Sequence, residues 1–199
     1  MRIGVFGGTF DPPHHGHLVI AADVHDALGL DRVLLVPSAV PPHKRNTVQA
    51  AAEVRLEMLH AAVRGDPRFQ VDDLELRRPG PSYTVDTQRA LRERFPGAEL
   101  FFLIGADNVR ELSSWREPEE IVRLARIVVV PRGCESIDAE APFPFLTVPV
   151  IRTELSATEV RRRVAAGLSI RYLVPDAVRE IVAREGLYRE PAHTGKNPC

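Results

Sequence analysis

The sequence predicts an α/β fold: a doubly wound parallel sheet with helices on both faces, in a single domain. Three observations predict it. Ile3-Gly4-Val5-Phe6 is a short apolar run that ends in Gly7-Gly8, and a helical apolar pattern resumes at Leu18, Val19, Ile20 and Ala22. That is a buried strand, a tight turn and a helix. Further apolar runs stop at proline or glycine, at Arg32–Val36, Leu100–Ile104 and Ile127–Val130, with helical patterns between them. Strands that alternate with helices pair in parallel, and ligands collect at their carboxyl ends. Finally, 199 residues suffice for one well-buried core and not for two. Residues 1–189 are expected to form the domain and residues 190–199 a disordered tail.

The elements follow in order. A helix is expected from about His15 to Leu28, stopped by Gly29, and Arg32–Val36 is a second strand that ends at Pro37. Ser38 to Thr47 is too rich in proline and polar groups to be regular and reads as a loop on the ligand edge. Ala50 to Val63 has an amphipathic pattern. Phe69–Val71 and Leu74–Leu76 read as short strands. Arg78 to Thr84 is a turn into a helix that reaches about Phe95, with Ser82 or Thr84 available as its cap. Leu100–Ile104, the most apolar run, delivers Gly105-Ala106-Asp107 at its end. A helix from about Pro118 to Leu124, the strand Ile127–Val130, a short strand at Leu146–Val148, a helix opening near Ser156 and a last helix from Asp176 to Glu185 complete the domain.

Composition excludes several classes. The net charge of -1 offers no general attraction to nucleic acid or to a membrane surface, so neither is expected as a partner. Neither a secretory signal nor a membrane span is legible, and the two cysteines, Cys134 and Cys199, fit free thiols in a cytoplasmic protein. His14 and His17 stand three apart without a third ligand at suitable spacing, so no protein metal site is expected. The sequence has neither a G-x-x-x-x-G-K-[ST] phosphate loop nor a G-x-G-x-x-G fingerprint. A helix that begins near His15 directs free amides and its positive dipole end to the glycine turn, which suits phosphate.

Gly7-Gly8-Thr9-Phe10-Asp11-Pro12 followed by His14-His15-Gly16-His17 resembles the signature of the nucleotidyltransferase superfamily, whose H-x-G-H element binds nucleoside triphosphate. Ser156-Ala157-Thr158-Glu159-Val160-Arg161 resembles its S-x-T-x-x-R element. Ser156 and Glu159 also fit a capping box, and the two readings are compatible. Within the superfamily, Ile3 to about Tyr188 is most similar to bacterial nicotinate-nucleotide adenylyltransferases, through Val40-Pro41-Pro42-His43-Lys44, Pro81-Ser82-Tyr83-Thr84, Gly105-Ala106-Asp107 and Trp115. Pantetheine-phosphate adenylyltransferases, or enzymes that prefer nicotinamide mononucleotide, are the alternatives.

The resemblance implies a Rossmann-like sheet and transfer of the adenylyl group of ATP to nicotinate mononucleotide, with Mg²⁺ accompanying ATP. Catalysis falls to His14, His17 and Arg161. ATP contacts fall to Gly7, Gly8, Thr9, Phe10, His14, His17, Gly105, Asp107, Ser156, Thr158 and Arg161, and nicotinate mononucleotide contacts to Lys44, Ser82, Tyr83, Thr84 and Trp115. Each has a plainer reading: Trp115 as core, Tyr83 and Thr84 or Asp107 as helix caps, Lys44 as a solvated loop cation. Arg132 departs from the family order, standing between Pro131 and Gly133 where arginine precedes the proline, and is assigned no contact. Oligomeric state is not legible in the sequence.

Overall fold

The computed structural model describes residues 1–39, 48–130 and 143–189. Six strands, β1 (Arg2–Gly8), β2 (Arg32–Pro37), β3 (Phe69–Val71), β4 (Glu99–Gly105), β5 (Arg126–Val130) and β6 (Phe145–Thr147), pair in parallel in the order β3-β2-β1-β4-β5-β6. The helices are α1 (His15–Leu28), α2 (Ala52–Ala62), α3 (Leu74–Arg77), α4 (Thr84–Arg94), α5 (Pro118–Leu124), α6 (Ala157–Ala165) and α7 (Asp176–Arg184). This is the doubly wound Rossmann-like architecture that the alternation predicts. The expected tail, residues 190–199, lies outside the described residues.

Alternation along the strands sets the two faces, because successive side chains point to opposite sides of a sheet. Ile3, Val5, Leu34, Val36, Leu100, Phe102, Ile104, Ile127 and Val129 face a core with Val85 and Leu91 of α4 and Ile121 of α5. Phe6, Val33, Leu35, Phe101, Leu103, Val128 and Val130 face the opposite core with Ala21 and Val24 of α1 and Leu59 of α2. Strands covered on both faces are apolar throughout, which is why the runs stand out in the sequence. A third cluster joins Met58 of α2 to Val160 of α6 and to Val178, Ile181 and Val182 of α7. That cluster docks the C-terminal helices beside α2.

Some boundaries differ from expectation for local reasons. Leu74–Leu76 is not a strand. The Asp72 carboxylate accepts the Leu74 amide at 3.1 Å, a side-chain turn that starts α3. α2 begins at Ala52 rather than Ala50, because the amides of Gln49 and Ala50 donate to the Asp11 carboxylate. α1 ends as expected at Gly29, whose φ of 55° is the left-handed conformation that glycine adopts at least cost. Among the described residues no helix is long and apolar enough to cross a membrane.

One buried group opposes the fold. Gln88 on α4 is fully buried, and neither of its amide atoms has a hydrogen-bond partner among the described residues. Such an orphan costs about 1–3 kcal/mol. Gln88→Leu is therefore expected to raise unfolding free energy by about that amount in urea denaturation; a comparable loss would contradict the assignment.

Candidate active site

The chain leaves β1 towards β2 and β3, then returns beside β1 as β4 and proceeds the other way to β5 and β6. Doubly wound sheets open a crevice at such a reversal, outside the carboxyl ends of the two central strands. Gly7 and Gly8 end β1 there, and Gly105 ends β4. A Cβ on Gly7 would lie 3.9 Å from the Phe102 ring, and Phe102 meets Trp115 edge-on at 6.3 Å. The glycine turn and Trp115 are thus joined through one aromatic ring.

His14 is the N-cap of α1 and is buried, with its ring stacked on that of His17 at 3.6 Å between centroids. The His14 amide donates to His17 Nδ1 at 3.2 Å. A ring nitrogen that accepts cannot carry the proton, so neutral His17 presents Nε2–H as its donor. Phe10 backs His17 at 5.0 Å between ring centroids. Its own ring is buried, so Phe10 can offer a ligand only its backbone. Gly16 gives the rings room: a Cβ there would sit 3.0 Å from His14 Nδ1, and His14 would have to shift by a few tenths of an ångström to admit it.

The amides of the first turn are less available than the sequence suggests. His15 donates to the Leu173 carbonyl at 3.0 Å and His17 to the His14 carbonyl at 2.9 Å. The imidazoles and a nearby arginine are the other polar groups at this turn. Arg161 of α6 donates to the Asp11 carbonyl at 2.7 Å and to Thr158 Oγ1 at 3.3 Å. The two sequence motifs, 150 residues apart at this contact, meet at one turn. Ser156 is the N-cap of α6 and accepts the Glu159 amide at 3.2 Å. The Glu159 carboxylate pairs with Arg162 instead of completing a capping box.

Three buried residues that sequence reading passed over hold this turn. Arg55, 1% exposed, donates to the Thr9 carbonyl at 2.7 Å, to Ser38 at 2.8 Å and to Ala50 at 3.3 Å. Burial lowers its pKa and the Asp11 carboxylate opposes that shift, so the guanidinium keeps its charge at neutral pH. Asp11 and Tyr188 are the other two. A signal existed for Arg55, which shares the inner stripe of α2 with Met58 and Leu59, where an apolar side chain is expected.

Across the crevice, Ser82-Tyr83-Thr84 opens α4, but Tyr83 is the N-cap and no side chain caps the helix. Ser82 Oγ accepts the Ala39 amide at 3.0 Å and ties this turn to the end of β2. The Tyr83 amide donates to Pro81 at 3.1 Å, so it is already engaged at the start of α4. The Arg116 guanidinium lies 5.0 Å over the Tyr83 ring. Trp115 is half-buried against the first core, and its indole N–H is buried without a hydrogen-bond partner among the described residues. Gly105 leads into a short 3-10 turn, Ala106–Asn108. The Asp107 side chain, Lys44, His43 and Arg132 lie outside what is described.

A cytidylyltransferase-like family model matches residues 5–163. A Thermus thermophilus protein named "Probable nicotinate-nucleotide adenylyltransferase" is 50% identical over 189 residues, covering 95% of this chain and 100% of that protein. The nicotinate-nucleotide adenylyltransferase of Bacillus subtilis is 41% identical over 187 residues, covering 94% of this chain and 98% of its own. Nicotinic acid mononucleotide adenylyltransferase of Plasmodium falciparum, solved in complex with NaAD, superposes with a TM-score of 0.79 over 94% of this chain and 97% of that one. At 18% identity it shares the fold.

Glu75 generates a pH prediction. It is buried beneath the Ser82 turn and accepts from Thr87 Oγ1 at 2.6 Å. Burial raises its pKa, against the opposing hydrogen bonds from Thr87 and Ser82 and the charge of Arg78. The folded state therefore holds this proton more tightly than the unfolded chain, and the stability it confers is lost as pH rises from the ordinary glutamate value through the raised one. In urea unfolding, wild type should fall progressively behind Glu75→Gln across that window. A gap that narrows with rising pH would contradict the shift.

Proposed function

The chain belongs to the cytidylyltransferase-like family, and we infer that it acts there as a nicotinate-nucleotide adenylyltransferase in NAD biosynthesis. The observation that carries this reading is the Arg161–Asp11 contact, which brings the S-x-T-x-x-R helix against the H-x-G-H turn at the topological reversal of the sheet. The 5'-phosphate oxygen of nicotinate mononucleotide attacks the α-phosphorus of ATP in line, the bond from that phosphorus to the bridging oxygen breaks, and pyrophosphate leaves. Nicotinate adenine dinucleotide is the other product.

Such transfer depends on positioning and on stabilising charge at phosphate oxygens. In this reading His17 donates through Nε2–H, with its ring fixed by the His14 amide and by Phe10. His14, stacked on it, contributes a second imidazole donor. Arg161 and Thr158 hold the leaving pyrophosphate, and the exposed backbone of Gly7 admits the nucleotide to the end of β1. Gly8, Thr9, Gly105, Asp107 and Ser156 complete the ATP contacts by resemblance. Mg²⁺ enters as the magnesium complex of ATP, bound through phosphates and water, and no residue is assigned to it.

The acceptor lies on the α4 side. Trp115 stacks on the pyridine ring, Thr84 meets the nicotinate carboxylate at the positive end of α4, and Lys44 neutralises phosphate charge. A carboxylate suits that helix end better than a carboxamide does, which favours nicotinate over nicotinamide. The reading places the enzyme in the cytoplasm.

Pyrophosphate release from ATP tests the assignment, with nicotinate mononucleotide, nicotinamide mononucleotide and phosphopantetheine supplied in parallel. The nicotinate substrate should be used best; activity with phosphopantetheine alone would overturn it. His17→Ala should lower kcat by about 10²-fold or more with the fold intact. Trp115→Ala should raise the KM for the pyridine nucleotide and leave that for ATP nearly unchanged, whereas equal changes in both would return Trp115 to the core.

A further inference from the structure

Asp11 belongs to the motif turn, yet its carboxylate is turned into the protein. It is 2% exposed and is occupied on both oxygens by the protein: Oδ1 accepts from the Tyr188 hydroxyl at 2.6 Å and the Ala50 amide at 3.2 Å, and Oδ2 accepts from the Gln49 amide at 2.7 Å. Its backbone carbonyl accepts from Arg161. One residue thus joins the exit of β1, the segment before α2, the phosphate-binding helix α6 and the last described turn of the chain.

Tyr188 is the most distant of these partners, 177 residues away. Its ring is 8% exposed and packs in the third core cluster with Met58, Val160 and Ile181. Burial raises the phenol's pKa, as do the hydrogen bond to Asp11 and the charge of its carboxylate, so Tyr188 stays protonated and donates at every working pH. The ring and the hydroxyl have separable tasks. The ring fills the core between α2, α6 and α7, while the hydroxyl reaches only the Asp11 carboxylate among the described residues.

The turn needs such a tether. Phe10, immediately before Asp11, has φ of 49°, a conformation that a bulky side chain adopts at a cost and keeps only where its surroundings impose it. Phe10 in turn backs the His17 ring. Releasing one bond to Asp11 therefore loosens the two features that adenylyl transfer requires in register: the imidazole behind Phe10 and the Arg161 guanidinium on the Asp11 carbonyl.

We propose that Tyr188, acting through Asp11, is a positioning residue for adenylyl transfer: its hydroxyl fixes the turn on which His17 and Arg161 are aligned. The proposal rests on the functional reading above. Wild-type turnover with nicotinate mononucleotide tests that reading, and the ratio of variant to wild type tests the proposal, so the two can fail separately.

Tyr188→Phe keeps the ring and removes the hydroxyl. Its thermal midpoint should stay within a few degrees of wild type, while kcat for pyrophosphate release falls about 10- to 100-fold, the scale that small misalignments of reacting groups reach. Both KM values should change by less than about threefold, because ground-state contacts are retained. A double-mutant cycle with Asp11→Ala, which removes the acceptor, separates alignment from general weakening: if the hydroxyl acts through that carboxylate, the double variant loses no more kcat than Asp11→Ala alone. A folded Tyr188→Phe with wild-type kcat would overturn the proposal, as would losses that multiply in the double variant. Should Tyr188→Phe fail to fold, Asp11→Ala carries the same kcat-against-KM comparison, and wild-type kcat in it would likewise overturn the proposal.

Discussion

The site depends on a buried pair of opposite charges, Asp11 and Arg55, placed where the neighbouring strands β1 and β2 leave the sheet. Carbonyls at the carboxyl ends of parallel strands have no strand beyond them, and a buried carbonyl without a donor is costly. Arg55 supplies donors to Thr9 after β1 and Ser38 after β2, and Asp11 supplies acceptors to the amides ahead of α2. Neither charge would be tolerated alone at that depth. Together they keep the crevice backbone in one conformation without using the side chains that face it.

That division of labour explains the roles of the two C-terminal helices. α6 brings Thr158 and Arg161 to the crevice, and α7 with its following turn brings Tyr188 beneath it. Both dock on α2 through the third core cluster, and α2 carries Arg55. A groove of about 550 Å³ also opens between α6 and α7, lined by Val164, Leu168, Ile170, Arg179 and Val182. It lies at the far end of α6 from Thr158 and Arg161, with Ser169, Arg179 and Arg189 as its polar lining.

The fold was legible because its sheet is covered on both faces, so each strand is a nearly continuous apolar run bounded by glycine or proline. The parallel order follows from helices between the runs. Short elements were less legible: Leu74–Leu76 has the composition of a strand, and a single side-chain turn from Asp72 makes it helical. The site was legible to the extent that its chemistry is local. His14, Gly16 and His17 form one turn, and their geometry explains the spacing, since the glycine leaves room for the first ring against the helix. Long-range partners were not legible. Nothing near Asp11 in sequence shows that its carboxylate turns inward to Tyr188. Nor does the Pro81–Thr84 turn show that the Tyr83 amide is already engaged by Pro81.

In the proposed reading, the two motifs form one triphosphate site around the Asp11 turn. A crystal structure of the protein with a non-hydrolysable ATP analogue tests it most directly. Phosphate oxygens are expected within hydrogen-bonding distance of His17 Nε2 and of the Arg161 guanidinium, with the adenosine at the carboxyl ends of β1 and β4. Phosphates bound in the groove between α6 and α7, or beside the histidines but out of reach of Arg161, would contradict it.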